Sequence, residues 1–440
     1  MLPAALDEEE SRALALDAAD PLSACRDAFL IPPHGTGEQV YFCGNSLGLQ
    51  PRAVRAALDA ELEHWARRAV AGHFEGAQPW LDIQEELQPM LAPIVGAAPA
   101  DVVVMNALSV NLQLLLSSFY RPHGARRAIL IEQGAFPSDR HVAVSHLAWH
   151  GLGEDALIEV APDARGLFAT AAFAEVFARQ GDRIALALLP GVQYRNGQVF
   201  DIATLTELAH RHGAMACFDL AHAVGNVPLR LADWNVDCAA WCSYKYLNGG
   251  PGAPGGVFVH ARHAGRARLA GWWGHAKATR FRMAPEFTPE AAAAGWQLSN
   301  PPVLALAPLR ASLEPFARLG MPALRERALR LTGYLDALLR RHAGDALEIL
   351  TPSATSERGC QLSLRVRAGR EAGHSLFAHL LAHGVVGDWR EPDVIRLAPV
   401  PLYNRHTDCL RAVRAILDWT RGLSRRSASA GARDAPARPG

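Results

Sequence analysis

The sequence has almost no lysine. It contains 44 lysine and arginine residues, and only two of them, Lys245 and Lys277, are lysines. Arginine stays protonated in proteins, whereas lysine can lose its proton and form a Schiff base with an aldehyde. A chain this rich in arginine is expected to keep a lysine where the amine itself is needed. The alternative is that the two lysines are present by chance. The neighbours of Lys245 decide between the two, because Lys277 lies in HAKATRF, a sequence typical of an exposed loop.

Other features are also missing, and each absence excludes a class of protein. The formal net charge is zero, so a nucleic-acid or membrane surface, which needs a basic excess, is unsupported. The most apolar stretch, VVVMNALSVNLQLLLSSFY, is interrupted by polar residues and is not typical of a membrane span, and the acidic N-terminus does not resemble a signal peptide. The seven cysteines form no C-x-x-C pair, and the eighteen histidines show no metal-binding spacing. We therefore expect a cytoplasmic protein with buried thiols and without a metal site.

Apolar runs alternate with helical stretches along the chain, and this predicts an α/β protein with a mainly parallel sheet. The predicted strands of the first part are 102–105, 127–132, 184–190, 214–219, 237–243 and 255–260. From 303 a long helical stretch leads to strands at 360–367 and 393–403, which indicates a smaller α/β domain. The expected division is an N-terminal arm (1–50), a large domain (51–302), a small C-terminal domain (303–423) and a disordered, low-complexity tail (424–440).

Two glycine-containing motifs suggest functions that their neighbours disfavour. GNSLG (44–48) fits the G-x-S-x-G motif of serine hydrolases, but Gln50 and Pro51 follow it and only one predicted strand precedes it. GGPGAPGG (249–256) lacks the G-K-[ST] ending of a phosphate-binding loop, and its two prolines remove amide donors. No G-x-G-x-x-G opens a helix after a strand, so a dinucleotide-binding fold is also unsupported.

The residues near Lys245 suit pyridoxal phosphate. Asp219 ends an apolar strand, and ligands of open parallel sheets bind beyond the carboxyl ends of the strands. A carboxylate there needs a cationic partner, which a protonated pyridine nitrogen would provide, and His222 can lie against the same ring. Lys245 follows the next apolar run and reaches the same crevice.

A phosphate site and an aromatic cover complete the requirements of this cofactor. ALSVN opens a predicted helix after strand 102–105, so the Ser109 hydroxyl and the free amides can hold an anion. Phe136 follows strand 127–132 and can stack on a flat ring. Taken singly, Ser109 is more often a helix cap and Phe136 more often a core residue. Together with the strand-end aspartate and the rare lysine they favour a pyridoxal-phosphate enzyme.

Residues 40–405 resemble the kynureninase family. The matching motifs occur in the order and at about the spacing of that family, and they are GNSLGLQP, AFPSD, FDLAHAVGN, WCSYKYLNGGPG, GWWGH, SNPP and RLAPVPLYN. The resemblance implies a fold-type-I, pyridoxal-phosphate-dependent transferase-like fold, with a mainly parallel seven-stranded sheet and a smaller C-terminal α/β domain. It also implies a homodimer with its active site at the subunit interface. Such an enzyme hydrolyses L-kynurenine, or its 3-hydroxy form, to anthranilate or 3-hydroxyanthranilate and L-alanine, in tryptophan degradation or NAD biosynthesis.

The resemblance further implies a role for each site residue. The catalytic set is Lys245, which forms the Schiff base, Asp219, which pairs with the pyridine nitrogen, and Tyr244, which transfers a proton. The implied cofactor-binding set is Leu108, Ser109, Phe136, Pro137, Ser138, Asp139, Asp219, His222, Tyr244, Lys245, Trp272 and Asn300, of which Trp272 and Asn300 come from the partner subunit. The implied substrate-binding set is Arg396, which binds the carboxylate, with His73, Ser46 and Asn300. Ser109 stands where threonine is expected. Pro190 replaces a serine or threonine of some members, so no phosphate contact is assigned there.

Two alternatives stay open. The first is another fold-type-I activity, such as a cysteine desulfurase or an aminotransferase. A desulfurase needs a catalytic cysteine on a mobile loop, and none of the seven lies in an obvious one. The second is a scaffold without activity, which predicts loss of Lys245 or Asp219, although both are present. Kynurenine and 3-hydroxykynurenine differ by one hydroxyl, and the sequence does not discriminate between them.

Overall fold

The computed structural model describes residues 2–431. The described helices are α1 Leu2–Ala19, α2 Ala53–Arg68, α3 Ile83–Val95, α4 Leu108–Phe119, α5 Pro137–Trp149, α6 Thr170–Gln180, α7 Ile202–Arg211, α8 Val303–Ala343, α9 Arg370–Ala382 and α10 His406–Gly431. The described strands are β1 Pro33–His34, β2 Gly37–Glu38, β3 Val40–Tyr41, β4 Val102–Val104, β5 Ala128–Glu132, β6 Leu157–Val160, β7 Ile184–Pro190, β8 Met215–Asp219, β9 Cys238–Trp241, β10 Gly256–Val259, β11 Leu347–Ile349, β12 Leu362–Val366, β13 Val385–Val386, β14 Asp388–Arg390 and β15 Val394–Leu397.

The large domain contains a seven-stranded sheet of order β4-β10-β9-β8-β7-β5-β6. Five neighbouring strands, from β9 to β6, are parallel, and β10 is antiparallel to both of its neighbours. Helices cover both faces, so the apolar run of β7 is buried throughout. The predicted mainly parallel sheet is therefore confirmed. Strand β6 is not among the predicted strands, because this short edge strand carries an exposed glutamate, Glu159, within it.

The parallel arrangement places polar residues at one edge of the sheet. Glu132, Pro190 and Asp219 are the last residues of β5, β7 and β8. The register pairs Pro190 with Asp219, and Asp219 with Ala240 of β9. Lys245 follows four residues after the end of β9. Residues far apart in the chain therefore meet at the carboxyl ends of the central strands, which is where such sheets bind ligands.

The small domain is built on a four-stranded antiparallel sheet of order β11-β12-β15-β14. The segment predicted as an N-terminal arm packs on this domain. Strand β3 pairs with β13, and Val40 and Phe42 belong to the same buried cluster as Leu364 of β12. Helix α1 lies along α10, where Asp17 accepts hydrogen bonds from the amides of His406 and Thr407.

Helix α8 connects the two domains. It begins at Val303, at the predicted domain boundary, and a break at Gly320 divides it. Leu309 and Leu313 of its first part belong to the large-domain core, and Leu335 and Leu339 of its second part belong to the small-domain core. Helix α10 continues to Gly431, so the predicted boundary of the tail at 424 falls within it. The rest of the predicted tail, 432–440, lies outside the described residues.

Between residues 2 and 431, no helix has both the length and the hydropathy that crossing a bilayer requires.

Candidate active site

A cavity of about 390 Å³ opens at the carboxyl ends of the central strands and is closed on one side by the small domain. It brings together most of the site residues predicted from the sequence. The predicted residues that line it are Ser46, Leu108, Ser109, Phe136, Ser138, Asp139, Asp219, His222, Tyr244, Lys245 and Arg396.

Lys245 contacts a neutral histidine in this cavity. Its Nζ lies 3.0 Å from Nε2 of His222. Burial lowers the pKa of His222 well below its usual value, and the positive charge of Lys245 lowers it further. The uncharged imidazole can therefore accept a hydrogen bond from the lysine amine. Lys277 lies in a different environment, because its ammonium group pairs with the exposed carboxylates of Asp82 and Glu85.

Three buried carboxyl groups converge beside the lysine. Asp219 Oδ1 accepts a hydrogen bond from the Ala221 amide at 2.8 Å. Asp139 and Asp219 share a hydrogen bond, and burial, with the nearby charge of Asp219, raises the pKa of Asp139 well above its usual value. Burial also raises the pKa of Glu132 to about 8. Burial raises the pKa of Asp219 too, but the hydrogen bond with Asp139, the Ala221 amide and the charge of Lys245 oppose that rise. The shared proton therefore rests on Asp139, and Asp219 is the carboxyl group that a cationic ligand would meet.

Two helix N-termini form the opposite end of the cavity. Helices α4 and α5 begin at Leu108 and Pro137, and neither has a side-chain cap, so the amides of Ser109 and Ser138 in their first turns stay available to an anion. The Ser109 and Ser138 hydroxyls, one from each helix, lie 2.6 Å apart. This arrangement suits a phosphate group.

Aromatic side chains line the wall between these two ends. Phe136 lies just before α5, and its ring contacts that of Tyr194 at a centroid distance of 5.2 Å. Tyr244 precedes Lys245, and burial raises the pKa of its hydroxyl. Tyr244 therefore keeps its proton and is able to donate it.

The small domain contributes a buried arginine. Arg396 of β15 is fully buried, and its guanidinium donates to Asp388 at 2.7 Å and to the Tyr194 carbonyl at 2.6 Å. Arg390 also lines the cavity and pairs with Asp388. Sequence reasoning missed Glu132, Tyr194, Asp388 and Arg390. The one available signal was the charge pattern of DWREPDVIR, which places Asp388 and Arg390 a few residues before Arg396.

Four predicted site residues do not line the cavity of this chain. Pro137 occupies the first turn of α5, a position that favours proline. Trp272 and Asn300 are exposed, and their entry into a partner's site stays a prediction. His73 packs against Trp80 at 5.1 Å and Phe74 at 6.2 Å.

The GNSLG segment is a loop that supports the lysine. The Gly48 amide donates to the Tyr244 carbonyl at 2.7 Å, and a Cβ atom at Gly48 would collide with the carbonyl oxygen of Lys245. Ser46 lines the cavity, but the next helix, α2, begins only at Ala53. The motif therefore lacks the direct strand-to-helix turn of a serine hydrolase.

The residues of the cavity fit pyridoxal phosphate. An amine, a charged carboxylate and an anion site lie along one cavity, in the roles that an aldehyde, a pyridinium nitrogen and a phosphate require. One buried polar atom of the cavity, His222 Nδ1, has no hydrogen-bond partner among the described residues. Buried polar atoms are normally paired, so this one is consistent with a polar ligand.

The fold is that of solved pyridoxal-phosphate enzymes. A cystine C-S lyase aligns with a TM-score of 0.72 and 18% identity, over 86% of this chain and 97% of that one. A cysteine desulfurase from Thermococcus onnurineus NA1 aligns with a TM-score of 0.72 and 16% identity, over 87% and 95% of the two chains. At these identities the similarity shows the fold alone.

The sequence comparisons identify the family. The model of the kynureninase C-terminal domain matches residues 324–416. A kynureninase of Xanthomonas euvesicatoria pv. vesicatoria (strain 85-10) is 58% identical over 93% of this chain and 98% of the relative. A kynureninase of Stenotrophomonas maltophilia (strain K279a) is 55% identical over 93% and 98% of the two chains. Similarity of this extent, together with a cavity that suits pyridoxal phosphate, shows that the chain belongs to the kynureninase family.

Proposed function

We propose that the chain uses pyridoxal phosphate to hydrolyse L-kynurenine, or its 3-hydroxy form, to L-alanine and anthranilate or 3-hydroxyanthranilate. The observation that carries this proposal is the contact of Lys245 with neutral His222, in the cavity that also contains Asp219 and two helix N-termini. Family membership supports the reaction, and the residues of the cavity support the individual roles.

Each end of the cavity would hold one part of the cofactor. The Lys245 amine would bind its aldehyde carbon, Asp219 would pair with its ring nitrogen, and Phe136 would lie against its ring. The free amides of α4 and α5, with the Ser109 and Ser138 hydroxyls, would hold its phosphate. Once bound, the cofactor supplies an electron sink for the bonds that break at the substrate.

The protein moves the protons. With the cofactor and substrate bound, Lys245 Nζ would accept the α-proton of the substrate, and His222 would hold that nitrogen within the cavity. Tyr244, whose hydroxyl stays protonated, delivers a proton to the alanyl fragment when the Cβ–Cγ bond breaks. Arg396 binds the substrate carboxylate, as its burial and its position on the cavity wall suggest.

The cysteine desulfurase alternative lacks a suitable thiol. All seven cysteines lie within the described residues, six of them are buried, and none lines the cavity. Cys43 is half-buried, and burial raises its pKa to about 12. A nucleophilic cysteine needs an accessible thiolate, so this chemistry is disfavoured. All seven thiols are unpaired, which supports a cytoplasmic location.

We further propose a homodimer with its active sites at the subunit interface. Trp272 and Phe281 pack together and are each more than 40% exposed, and Phe281 contacts the exposed ring of Phe74. Next to Phe74, His73 extends this aromatic cluster. An exposed aromatic patch favours a protein interface. In the proposed dimer, the side chains of Trp272 and Asn300 would lie in the partner's cavity.

The two lysines offer a direct test. We expect Lys245→Ala to lose both the visible absorbance of the bound cofactor and the release of anthranilate from kynurenine. The matched variant Lys277→Ala should keep the absorbance and the turnover, because that side chain pairs with exposed carboxylates. Spectra and steady-state assays on both substrates provide the measurements. Full turnover by Lys245→Ala, or none by the wild type on either substrate, would contradict the proposal.

A further inference from the structure

Strands β14 and β15 carry three charged side chains at the cavity, and two of them, Arg390 and Arg396, line it. The antiparallel register places Asp388 directly opposite Arg396. Arg390 lies two residues after Asp388, and side chains of a strand at this spacing point to the same face. All three therefore lie on one face of the hairpin, and both arginines line the cavity.

Asp388 binds both arginines at once. Its Oδ2 accepts from the Arg396 guanidinium at 2.7 Å and from the Arg390 guanidinium at 3.0 Å, and its Oδ1 lies 2.9 Å from Nε of Arg390. The carboxyl group is 9% exposed, and Arg396 is fully buried. A buried guanidinium needs a counter-ion, and a single carboxylate between two arginines leaves one positive charge in excess. That excess matches the single negative charge of an α-carboxylate.

The hydrogen-bond partners leave part of each guanidinium for a ligand. Arg390 donates one hydrogen bond to Asp388, from a terminal nitrogen. Its buried Nε lies near Asp388 Oδ1 without forming a hydrogen bond, and its other terminal nitrogen has no partner in the described part of the chain. Arg396 gives one hydrogen bond to Asp388 and one to Tyr194, and its buried Nε is unpaired within residues 2–431. Because the Asp388 carboxylate binds both guanidinium groups, the orientation of Arg390 is linked to that of Arg396.

We propose that Arg390 is a second guanidinium ligand of the substrate α-carboxylate and that Asp388 is the positioning residue that orients Arg390 and Arg396 towards it. This inference rests on the proposed function, which assigns the carboxylate to Arg396. Two guanidinium groups held by one shared carboxylate form a preorganised site for a single anion.

The test separates recognition of the carboxylate from general damage. The variants are Asp388→Asn, Arg390→Gln and Arg390→Lys, and the control is Asp393→Asn. Asp393 lies beside the same sheet and pairs with Arg195 and Arg365, but it does not line the cavity. For each holoenzyme we would measure kcat and KM for kynurenine, the absorbance of the bound cofactor, and the inhibition constant of the analogue that lacks only the α-carboxylate.

We expect Arg390→Gln and Asp388→Asn to raise KM for kynurenine on the order of 30-fold, the usual effect of losing one partner of a buried charge pair. The inhibition constant of the decarboxylated analogue and the cofactor absorbance should stay within about threefold of wild type, since neither depends on the carboxylate contact. Arg390→Lys should recover part of the loss, because it keeps the charge without the planar fork. Asp393→Asn should behave as wild type.

Two results would overturn the inference. If kynurenine and the decarboxylated analogue weaken in parallel, the hairpin charges maintain structure only. If KM for kynurenine stays within about threefold in Arg390→Gln, Arg390 does not bind the carboxylate. A wild-type enzyme that fails to cleave kynurenine would instead overturn the proposed function, and the inference with it.

Discussion

At the scale of single residues, Asp139 and Asp219 share a hydrogen bond but differ in charge. Burial and the neighbouring carboxylate raise the pKa of Asp139 well above its usual value, and the hydrogen bond with Asp219 raises it further, so Asp139 is the member that holds the shared proton. Burial raises the pKa of Asp219 as well, but its hydrogen bonds from Asp139 and the Ala221 amide oppose that rise and favour its charged form. The two aspartates therefore have different roles, although both lie in motifs that resemble those of the kynureninase family, AFPSD and FDLAHAVGN.

This difference predicts unequal effects of the same substitution. Asp219→Asn should slow turnover of kynurenine on the order of 10²-fold or more, because an amide does not stabilise a protonated ring nitrogen in a buried site. Asp139→Asn should slow turnover of kynurenine by less than about tenfold, because the amide still donates a hydrogen bond to Asp219 as the protonated acid does. Steady-state kinetics with a cofactor spectrum for each variant provide the test. Equal losses in the two variants would show that the proton is not held on Asp139.

At the scale of elements, α8 depends on a glycine at its break. Gly320 has φ 74° and ψ 154°, a conformation that residues with a Cβ atom avoid. Leu309 before the break and Leu324 after it both pack in the large-domain core, and Leu335 further along packs in the small-domain core. The relative placement of the domains, and hence of Arg396 against the large domain, depends on this turn.

A pair of glycine substitutions tests this role. Gly320→Ala should destabilise the protein by about 1–3 kcal/mol, the usual penalty of a strained backbone conformation. Gly333→Ala, in the second part of the same helix, should stabilise it by about 0.5–1 kcal/mol, because its Cβ meets open space and alanine favours helices. Thermal or urea unfolding of the holoenzymes measures both. A Gly320→Ala protein as stable as Gly333→Ala would show that the break tolerates a side chain.

At the scale of the whole molecule, the proposed dimer makes each site depend on two chains. Lys245 and Asp219 line the cavity of their own chain, whereas Trp272 lies on the exposed aromatic cluster. If Trp272 completes the partner's site, Lys245→Ala and Trp272→Ala damage different halves of it. In a mixed dimer, one site then receives an intact residue from each chain.

Complementation between inactive variants tests this arrangement. Lys245→Ala and Trp272→Ala, mixed in equal amounts under conditions of subunit exchange, should recover about a quarter of the wild-type activity, because half of the dimers are mixed and each has one intact site. Lys245→Ala mixed with Asp219→Asn should recover none, since both residues belong to the same chain's cavity. Kynurenine turnover before and after exchange is the measurement. Activity that only sums the two inactive samples would place Trp272 outside the partner's site.

Local patterns in the sequence sufficed to predict six of the seven strands of the large-domain sheet and their mainly parallel arrangement. They also sufficed to predict that Lys245, Asp219, His222 and Ser109 share one crevice, and all four line the cavity. These features depend on properties that neighbouring residues determine: an apolar run forms a strand, and a polar residue directly after it lies at the ligand-binding edge. The rarity of lysine and the kynureninase-like motifs identified Lys245 as the candidate Schiff-base lysine.

Tertiary structure alone decided the rest, because those features depend on pairing between distant segments. The register of β14 with β15 brings Asp388 against Arg396, and the ends of β5 and β8, on either side of β7, bring Glu132 close to Asp219. Strand β3 joins the small domain only because β13, more than 300 residues later, offers it an edge. The sequence determined which residues can carry this chemistry, and packing between segments far apart in the chain determined which of them share one cavity.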